Sequence, residues 1–200
     1  MELGYVRDGD VEILVPTVYG VESARRKVEA ERQGWTTDRV FENFRERFSV
    51  PALEAVDRLT HLVMARGGLF VPGTGGGASI TARLPINGKP VGVFNLYNAD
   101  GKLSFYVYLG YLVDAGVSTD PLIRFAEQMS QIPAIVRLRG VAKRFRVEDL
   151  RRVDFKKYPG FTMDDVLAQP DGSDAFAQIE AALDELIRSA NEEGQAEDGA

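Results

Sequence analysis

The sequence contains no cysteine and only one histidine, His61, among its 200 residues. The lack of cysteine excludes disulfides, cysteine–zinc sites and a thiol nucleophile, and a single histidine excludes a histidine-rich metal site. No apolar run approaches the roughly 18 residues of a membrane-spanning helix, and the opening "MELGYVRDGD" lacks a signal-peptide pattern. We therefore expect a cytoplasmic protein with no membrane partner, no metal and no cofactor.

Patterns that carry catalysis are also missing. There is no Gly-x-Ser-x-Gly motif, and the acidic residues fall in predicted turns, caps and solvent-facing positions, such as Asp8, Asp100 and Asp120. None of them is combined with a second acid and a lysine at catalytic spacing. His61 lies among apolar neighbours in a predicted helix, where a packing role is more common than catalysis. We predict no catalytic residue and no enzyme.

Charge is distributed unevenly along the chain. The formal net charge is −6, yet residues 137–157 (the basic segment) carry nine Lys or Arg against three Asp or Glu. Residues 164–200 (the acidic segment) carry eleven acids and one base. Because electrostatic fields act locally, the basic segment can attract phosphate although the whole chain is acidic. Alternatively, it forms a solvated sheet edge or is neutralised by the acidic segment.

The pattern of turns and charges predicts three parts. Residues 1–34 form a hairpin with Asp8-Gly9 at its turn, followed by a charged linker or helix. Because two strands alone are marginally stable, this hairpin either pairs elsewhere or belongs to a larger structure. Residues 35–192 form an α+β domain, and residues 193–200 form a disordered tail.

Periodicity in the central domain predicts a two-layer α+β fold, with an antiparallel sheet and helices on one face, in the order α-β(3)-α-β(2)-α. The three strands are 78–86, 91–98 and 102–111, and two further strands fall in "AIVRLRG" and "KRFRV". Asp120 is expected to cap the middle helix, which ends at Pro133. Secretion chaperones and small bacterial double-wing proteins share this order of elements, an analogy of topology alone.

Side-chain alternation fixes how the three central strands pair. A two- or four-residue loop at 98–101 pairs Leu96 near Phe105 and Asn95 near Tyr106, which keeps the faces of the two strands consistent. For the preceding hairpin the parity is reversed, so we predict a three-residue, bulged turn at residues 87–89.

The predicted sheet then has one apolar face and one face that carries tyrosines. Tyrosine and arginine are enriched where binding energy concentrates, so the second face is a candidate interface with a partner protein or a second copy of the chain. Internal packing is the alternative, because aromatic residues favour strands anyway. The candidate interface residues are Arg83, Asn95, Tyr97, Tyr106 and Tyr108.

The basic segment is the candidate nucleic-acid-binding surface. On a strand, Arg137 and Arg139 would share one face, as would Arg144 and Arg146, and such rows can follow a phosphate backbone of DNA or RNA. The candidate phosphate-binding residues are Arg137, Arg139, Lys143, Arg144, Arg146, Arg151 and Arg152.

The stretch "FVPGTGGGAS" resembles a phosphate-binding loop in composition. A Walker loop, however, needs a lysine after its last glycine and a helix beyond it, whereas Gly77 is followed by a strand pattern. The loop is therefore a flexible entry into a strand or a set of free amides that bind an anion. Its candidate residues are Gly73, Gly75, Gly76 and Gly77.

Several stretches resemble a known group: "FENFRERF", "GTGGG" followed by "LYNADGKLSFYV", and a helix that ends in "IP". Over residues 38–190 the chain resembles an uncharacterised C-terminal accessory region of bacterial proteins. In those proteins the region often follows a nuclease-like domain of the PD-(D/E)xK, restriction-endonuclease-like class. The opening "YVRDGDVEILVPTVYG" is similar to the last strands of such a domain. The nuclease motif itself is missing, so the resemblance implies no catalytic residue here.

The resemblance and the basic segment together predict a non-catalytic nucleic-acid-binding or accessory recognition module, associated with a nuclease or a defence system. The alternative is a protein-interaction or dimerisation module of the secretion-chaperone kind.

Overall fold

The computed structural model describes the backbone of residues 2–8, 11–17 and 34–197, and the side chains of residues 34–192. The chain divides into two compact units, residues 1–34 and 35–200. In the first unit, β1 (Glu2–Asp8) pairs antiparallel with β2 (Val11–Thr17), with Asp8 opposite Val11. Gly9 of the predicted turn and residues 21–33 of the charged linker or helix predicted at 21–34 lie outside the described residues.

The second unit has the predicted α+β architecture, with a five-stranded antiparallel sheet in the order β3-β4-β5-β6-β7. Its strands are β3 (Leu69–Pro72), β4 (Ser79–Ile86), β5 (Lys89–Ala99), β6 (Lys102–Val107) and β7 (Gly160–Thr162). Both edge strands are short, and Pro72 removes a donor from the β3 edge, which discourages pairing with another sheet.

Eight α-helices and one 3₁₀ helix are described in this unit. They are α1 (Thr37–Arg47), α2 (Val50–Ala65), α3 (Leu109–Asp114), α4 (Thr119–Gln131), α5 (Pro133–Arg137), the 3₁₀ helix (Ala142–Phe145), α6 (Val147–Arg151), α7 (Met163–Leu167) and α8 (Gly172–Glu197). Helix α8 therefore extends to Glu197, five residues into the predicted tail; residues 198–200 lie outside the described residues.

The core lies between the apolar face of the sheet and the helices. Phe94, Phe105 and Phe161 form a line of rings across β5, β6 and β7, with centroids 5.4 and 5.3 Å apart. Apolar residues at helical spacing in the sequence predict a buried stripe on α4, and this is confirmed: Leu122, Phe125, Met129 and Ile132 are all buried. The same spacing predicts a buried stripe on α8, which is also confirmed: Phe176, Ile179, Leu183, Leu186 and Ile187 are buried.

The register of β5 and β6 is as predicted: Leu96 lies opposite Phe105, and Asn95 lies opposite Tyr106. The predicted three-residue turn at 87–89 is wrong. Ile86 pairs with Lys89, so the turn contains only Asn87 and Gly88, both with positive φ (50° and 72°) as a two-residue hairpin requires. The parity is restored by a bulge between Ala82 and Arg83, farther along the pair.

The two strands predicted in "AIVRLRG" and "KRFRV" do not exist. Pro133 opens α5 at its first helical position, and residues 142–145 form the 3₁₀ helix. The pattern was ambiguous because apolar positions in such short runs fit a helical as well as a strand period. Phe145 is buried from the helical side, where its ring meets those of Phe125 and Phe161 at 6.4 Å.

Two boundaries also differ from the predictions. The third strand, predicted to reach residue 111, ends at Val107, and α3 begins at Leu109. Helix α4 has Ser118 at its N-cap, so Asp120 lies inside the first turn. The strands that complete the sheet are β3 and β7, whose four and three residues are too few for a recognisable alternation.

Candidate nucleic-acid interface

The face of the sheet opposite the core carries polar and tyrosine side chains. Asn95 is 9% exposed and donates from Nδ2 to Oγ1 of Thr81 at 3.1 Å. Tyr106 lies opposite Gly160 of β7, where a Cβ would come within 2.5 Å of the Tyr106 ring. The ring therefore folds down over a position that only glycine can fill. We call this surface the outer face.

Three tyrosines meet at one end of the outer face. The ring centroid of Tyr108 lies 5.0 Å from that of Tyr111 and 4.9 Å from that of Tyr158, and the last two are 5.9 Å apart. Tyr108 caps α3, Tyr111 belongs to α3, and Tyr158 precedes β7. A Cβ on Gly92 would lie 3.3 Å from the Tyr111 ring, so glycine makes room for these rings. We call Tyr108, Tyr111 and Tyr158 the tyrosine cluster.

Two members of the cluster are open to solvent, Tyr111 at 43% and Tyr158 at 48% of their surface. Desolvation raises the pKa of Tyr108 despite the opposing effect of its hydrogen bond with Thr81. The hydrogen bond with Tyr111 raises the pKa of Tyr158. The phenol of a tyrosine ordinarily ionises near pH 10, so Tyr108 and Tyr158 are neutral at physiological pH and do not repel anions.

A basic cleft adjoins the cluster on each of two sides. The Lys89 cleft, of about 500 Å³, is lined by Arg83, Lys89, Tyr108, Tyr111 and one acid, Asp114, among others. The Lys157 cleft, of about 390 Å³, is lined in part by the residues Lys143, Arg144, Asp149, Lys157 and Tyr158. In each cleft the basic side chains outnumber the acids. The arrangement offers aromatic rings between two sites that favour anions.

Only two of the predicted phosphate-binding residues reach the clefts beside the cluster. Lys143 and Arg144 line the Lys157 cleft, and Arg144 also donates from Nη1 to the carbonyl oxygen of Gly160 at 2.9 Å. Arg137 instead forms an ion pair with Asp171, and Nη1 of Arg152 lies 3.7 Å from Oδ1 of Asp149. The other three predicted residues are exposed elsewhere on the short helices and turns: Arg139, Arg146 and Arg151. The predicted rows of arginines on strands were wrong, because the segment is helical.

The acidic segment does not neutralise the basic segment as a whole. Within residues 34–192 its ion pairs include Arg66–Asp184 at 2.7 Å and Lys102–Asp165 at 3.0 Å, whose cations come from other parts of the chain. Further pairs use Arg58 and Arg124. Of the ion pairs formed by the acidic segment there, only that of Arg137 uses a cation of the basic segment. The cations that line the Lys157 cleft therefore retain their local field.

The predicted interface residues are divided between two places. Arg83 lines the Lys89 cleft and Tyr108 belongs to the tyrosine cluster, whereas Asn95, Tyr97 and Tyr106 lie farther along the outer face. The structure agrees with the predicted division of the sheet into an apolar and a tyrosine-bearing face, since Tyr97, Tyr106 and Tyr108 do not point toward the buried phenylalanines.

Sequence reasoning missed Tyr111, Tyr158, Lys89 and Lys157. The run "YVYLGY" at 106–111 is a local signal for Tyr111, because it places Tyr111 close in sequence to Tyr106 and Tyr108. No local pattern relates Tyr158 to it, because they lie far apart in the sequence.

The glycine loop connects β3 and β4 and is not followed by a helix. The Gly73 amide donates to the Ser79 carbonyl at 2.9 Å, which extends the hairpin by one pair. Gly75 and Gly76 are exposed at its tip, and the Tyr97 ring packs against Gly77. The loop therefore connects the two strands of a hairpin, and Gly77 leaves space for the ring of Tyr97 on the outer face.

No helix among the described residues is both long enough and apolar enough to cross a membrane. In the same part of the chain, no three or more histidine, aspartate or glutamate side chains are placed to hold a metal ion. Comparisons with models of protein families, with curated proteins and with solved structures found no match. The function is therefore argued from the geometry of the site.

Proposed function

We propose that the chain is a non-catalytic nucleic-acid-binding module and that the tyrosine cluster, with the two clefts beside it, is its binding surface. The observation that carries this proposal is the position of the exposed rings of Tyr111 and Tyr158 between the Lys89 and Lys157 clefts. Cations hold phosphate by releasing condensed counterions, and aromatic rings hold bases by stacking. Both kinds of contact are available within one continuous surface.

The local charge supports binding of a polyanion despite the acidic chain. The Lys157 cleft has three basic side chains against Asp149, and the Lys89 cleft has two against Asp114. Electrostatic fields from exposed charges are screened over about 10 Å at 0.1 M salt, and within residues 34–192 no acid of helix α8 lines either cleft. Affinity should therefore depend steeply on salt.

The proposed role in the cell is that of an accessory module beside a nuclease-like domain or a separate nuclease, in the bacterial cytoplasm. Its support is the resemblance of residues 38–190 to an accessory region of nuclease-like proteins, together with a composition free of cysteine. A module without a catalytic centre serves such a partner by holding the nucleic acid near it.

The test is a fluorescence-anisotropy titration of labelled DNA and RNA oligonucleotides at salt concentrations from about 50 to 200 mM. The unmodified chain is compared with the Lys89→Gln/Lys157→Gln double variant. The matched control is Arg47→Gln/Arg188→Gln, which removes the same charge from α1 and α8, outside both clefts. We expect the cleft variant to bind more weakly and the control to bind like the parent chain.

The salt slope gives a second measure from the same data. Each phosphate contact contributes about −0.7 to the slope of log affinity against log salt for single strands and about −0.9 for duplex DNA. Loss of two contacts should therefore lower the slope by about 1.4 to 1.8 in magnitude. Lack of measurable affinity at the lowest salt would contradict the proposal, as would equal losses in the cleft and control variants.

The alternative function, protein interaction or dimerisation, would use the same surface. It is favoured by the exposed tyrosines and Arg83, since Tyr and Arg dominate binding energy at protein interfaces. Sedimentation at micromolar concentration distinguishes the two. A dimer that dissociates on Tyr111→Ala/Tyr158→Ala, with no oligonucleotide binding, supports the interaction module instead.

A further inference from the structure

We infer that the nucleic acid held at this surface is single-stranded, with unstacked bases against the rings of Tyr111 and Tyr158 and with the backbone running between the Lys89 and Lys157 clefts. This inference rests on the proposed function and deepens it by naming the form of nucleic acid.

The first argument is the kind of surface that the cluster presents. Tyr111 and Tyr158 are 43% and 48% exposed, so the faces of both rings are accessible from solvent. A duplex covers the faces of its bases by stacking and offers a protein only phosphates and groove edges. Exposed aromatic rings therefore gain little from a duplex, whereas every unstacked base has a face that can lie on them.

The second argument is the angle between the rings. The planes of Tyr108 and Tyr158 meet at 64° and those of Tyr111 and Tyr158 at 67°, so no two rings of the cluster are parallel. Bases that lie on Tyr111 and Tyr158 must therefore be turned away from each other. A duplex holds its neighbouring bases parallel, but a single strand can rotate each nucleotide about its backbone.

The third argument is the placement of the cations. Arg83 and Lys89 line the cleft beside Tyr108 and Tyr111, and Lys143, Arg144 and Lys157 line the cleft beside Tyr158. The positive charge is therefore divided between two sites with the rings between them, rather than forming a continuous row. A flexible backbone can enter one cleft, place bases on the rings and continue into the other.

The experiment compares one labelled sequence as a single strand and as a duplex, in DNA and in RNA, at low salt. The variants are Tyr111→Leu and Tyr158→Leu, which keep apolar volume but remove the π face, and Tyr111→Phe and Tyr158→Phe, which keep the ring. We expect the parent chain to bind the single strand about tenfold or more tightly than the duplex. Each leucine variant should weaken single-strand binding by about tenfold, and each phenylalanine variant by much less.

Two further measurements test whether a loss of binding comes from lost stacking on the tyrosine cluster rather than from lost folding. A single strand that carries the fluorescent base 2-aminopurine should be quenched on binding by the parent chain and by the phenylalanine variants, but less by the leucine variants. Tyr97→Leu is the matched control, because Tyr97 lies on the outer face against Gly77, outside both clefts. Thermal unfolding of every variant shows that binding losses are not losses of fold.

The outcomes separate the inference from the proposed function. Equal or tighter binding of duplex, insensitive to the leucine variants, overturns the single-strand inference and leaves nucleic-acid binding in place. Losses with Tyr97→Leu as large as those with Tyr111→Leu overturn the assignment to the cluster. Lack of binding to any oligonucleotide overturns both. A preference for RNA or for DNA among single strands supports the inference and names the strand.

Discussion

The two faces of the central sheet use aromatic side chains from the same strands in opposite ways. On the apolar face, Phe94 and Phe105 are fully buried, and their rings pack with centroids 5.4 Å apart and planes tilted by 33°. On the outer face, Tyr106 lies against Gly160 and keeps part of its surface open. Alternate aromatic residues of one strand therefore differ in role. Those whose rings pack under the helices stabilise the core, and those on the outer face remain partly exposed.

The comparison also shows why glycine is needed on only one face. Rings of the apolar face are covered by helices, so their side chains can project away from the sheet. Within residues 34–192, rings of the outer face approach the sheet backbone closely, at Gly160 for Tyr106 and at Gly92 for Tyr108 and Tyr111. Glycine therefore lets these rings approach the sheet backbone, and the rings of the tyrosine cluster also pack against one another.

The largest difference between the faces is expected in stability. Phe105→Ala removes a fully buried ring that meets Phe94 and Phe161, and should lower the free energy of unfolding by about 3–5 kcal/mol. Tyr106→Ala, on the neighbouring position, should cost only about 1–2 kcal/mol, because its ring is partly solvated. Urea denaturation measures both. Equal losses would mean that the outer face is as much a core as the inner one.

The next effect concerns the glycine beneath Tyr106. A Cβ at residue 160 would overlap the Phe105 carbonyl oxygen and the Tyr106 ring, so Gly160→Ala should destabilise the chain by about 1–3 kcal/mol. Gly75→Ala is the matched control, since a Cβ there meets no atom within 4 Å. Its effect should stay within about 0.5 kcal/mol. A Gly160→Ala variant as stable as the parent chain would show that the Tyr106 ring does not require glycine at residue 160.

A smaller effect is expected from the two acids that face the clefts. Asp114→Asn and Asp149→Asn remove like charge near the proposed phosphate path, so each should strengthen oligonucleotide binding by about two- to fivefold at low salt. Asp57→Asn on α2, outside both clefts, is the charge-matched control. The gain should disappear at high salt because of screening. Weaker binding on removal of either acid would place the phosphates elsewhere.

The smallest effect is in the titration of the tyrosines. The pKa of Tyr108 and that of Tyr158 are raised, so their phenols should ionise after an ordinary tyrosine in a titration followed by tyrosinate absorbance. A raised pKa means that the stabilising contribution is complete below the unfolded pKa near 10 and is lost as pH rises through the folded value. Tyr158→Phe should remove one late-ionising group. Ionisation of all tyrosines in one ordinary step would contradict the hydrogen bond with Tyr111.

Much of the fold was predictable because it depends on local patterns. The stripes of α4 and α8 and the pairing of β5 with β6 follow from side-chain periodicity, and Leu96 does lie opposite Phe105. The turn at Asn87-Gly88 was predicted with the wrong length, because parity could be restored equally well by the bulge at Ala82/Arg83. No short-range pattern decides between these two solutions.

The candidate site was predictable only in part. The sequence drew attention to tyrosines on the outer face and to the charge of the basic segment, and Tyr108, Arg83, Lys143 and Arg144 do line the clefts or the cluster. It did not reveal Tyr158, whose ring reaches Tyr108 because the chain returns beside β6 at β7. That return depends on the packing of three short helical segments, each too short for its periodicity to be recognised.

The amino-acid order in the central strands was enough to divide them into an apolar and a tyrosine-bearing face, because successive side chains of a strand point to opposite sides. The composition of residues 137–157 likewise shows their excess of positive charge. The choice of which cations lie beside which rings, in contrast, is made by the folded chain. That choice depends on long-range contacts, namely the pairing of Arg137 with Asp171 and the pairing of β6 with β7, which carries Tyr158 and Lys157 to the cluster.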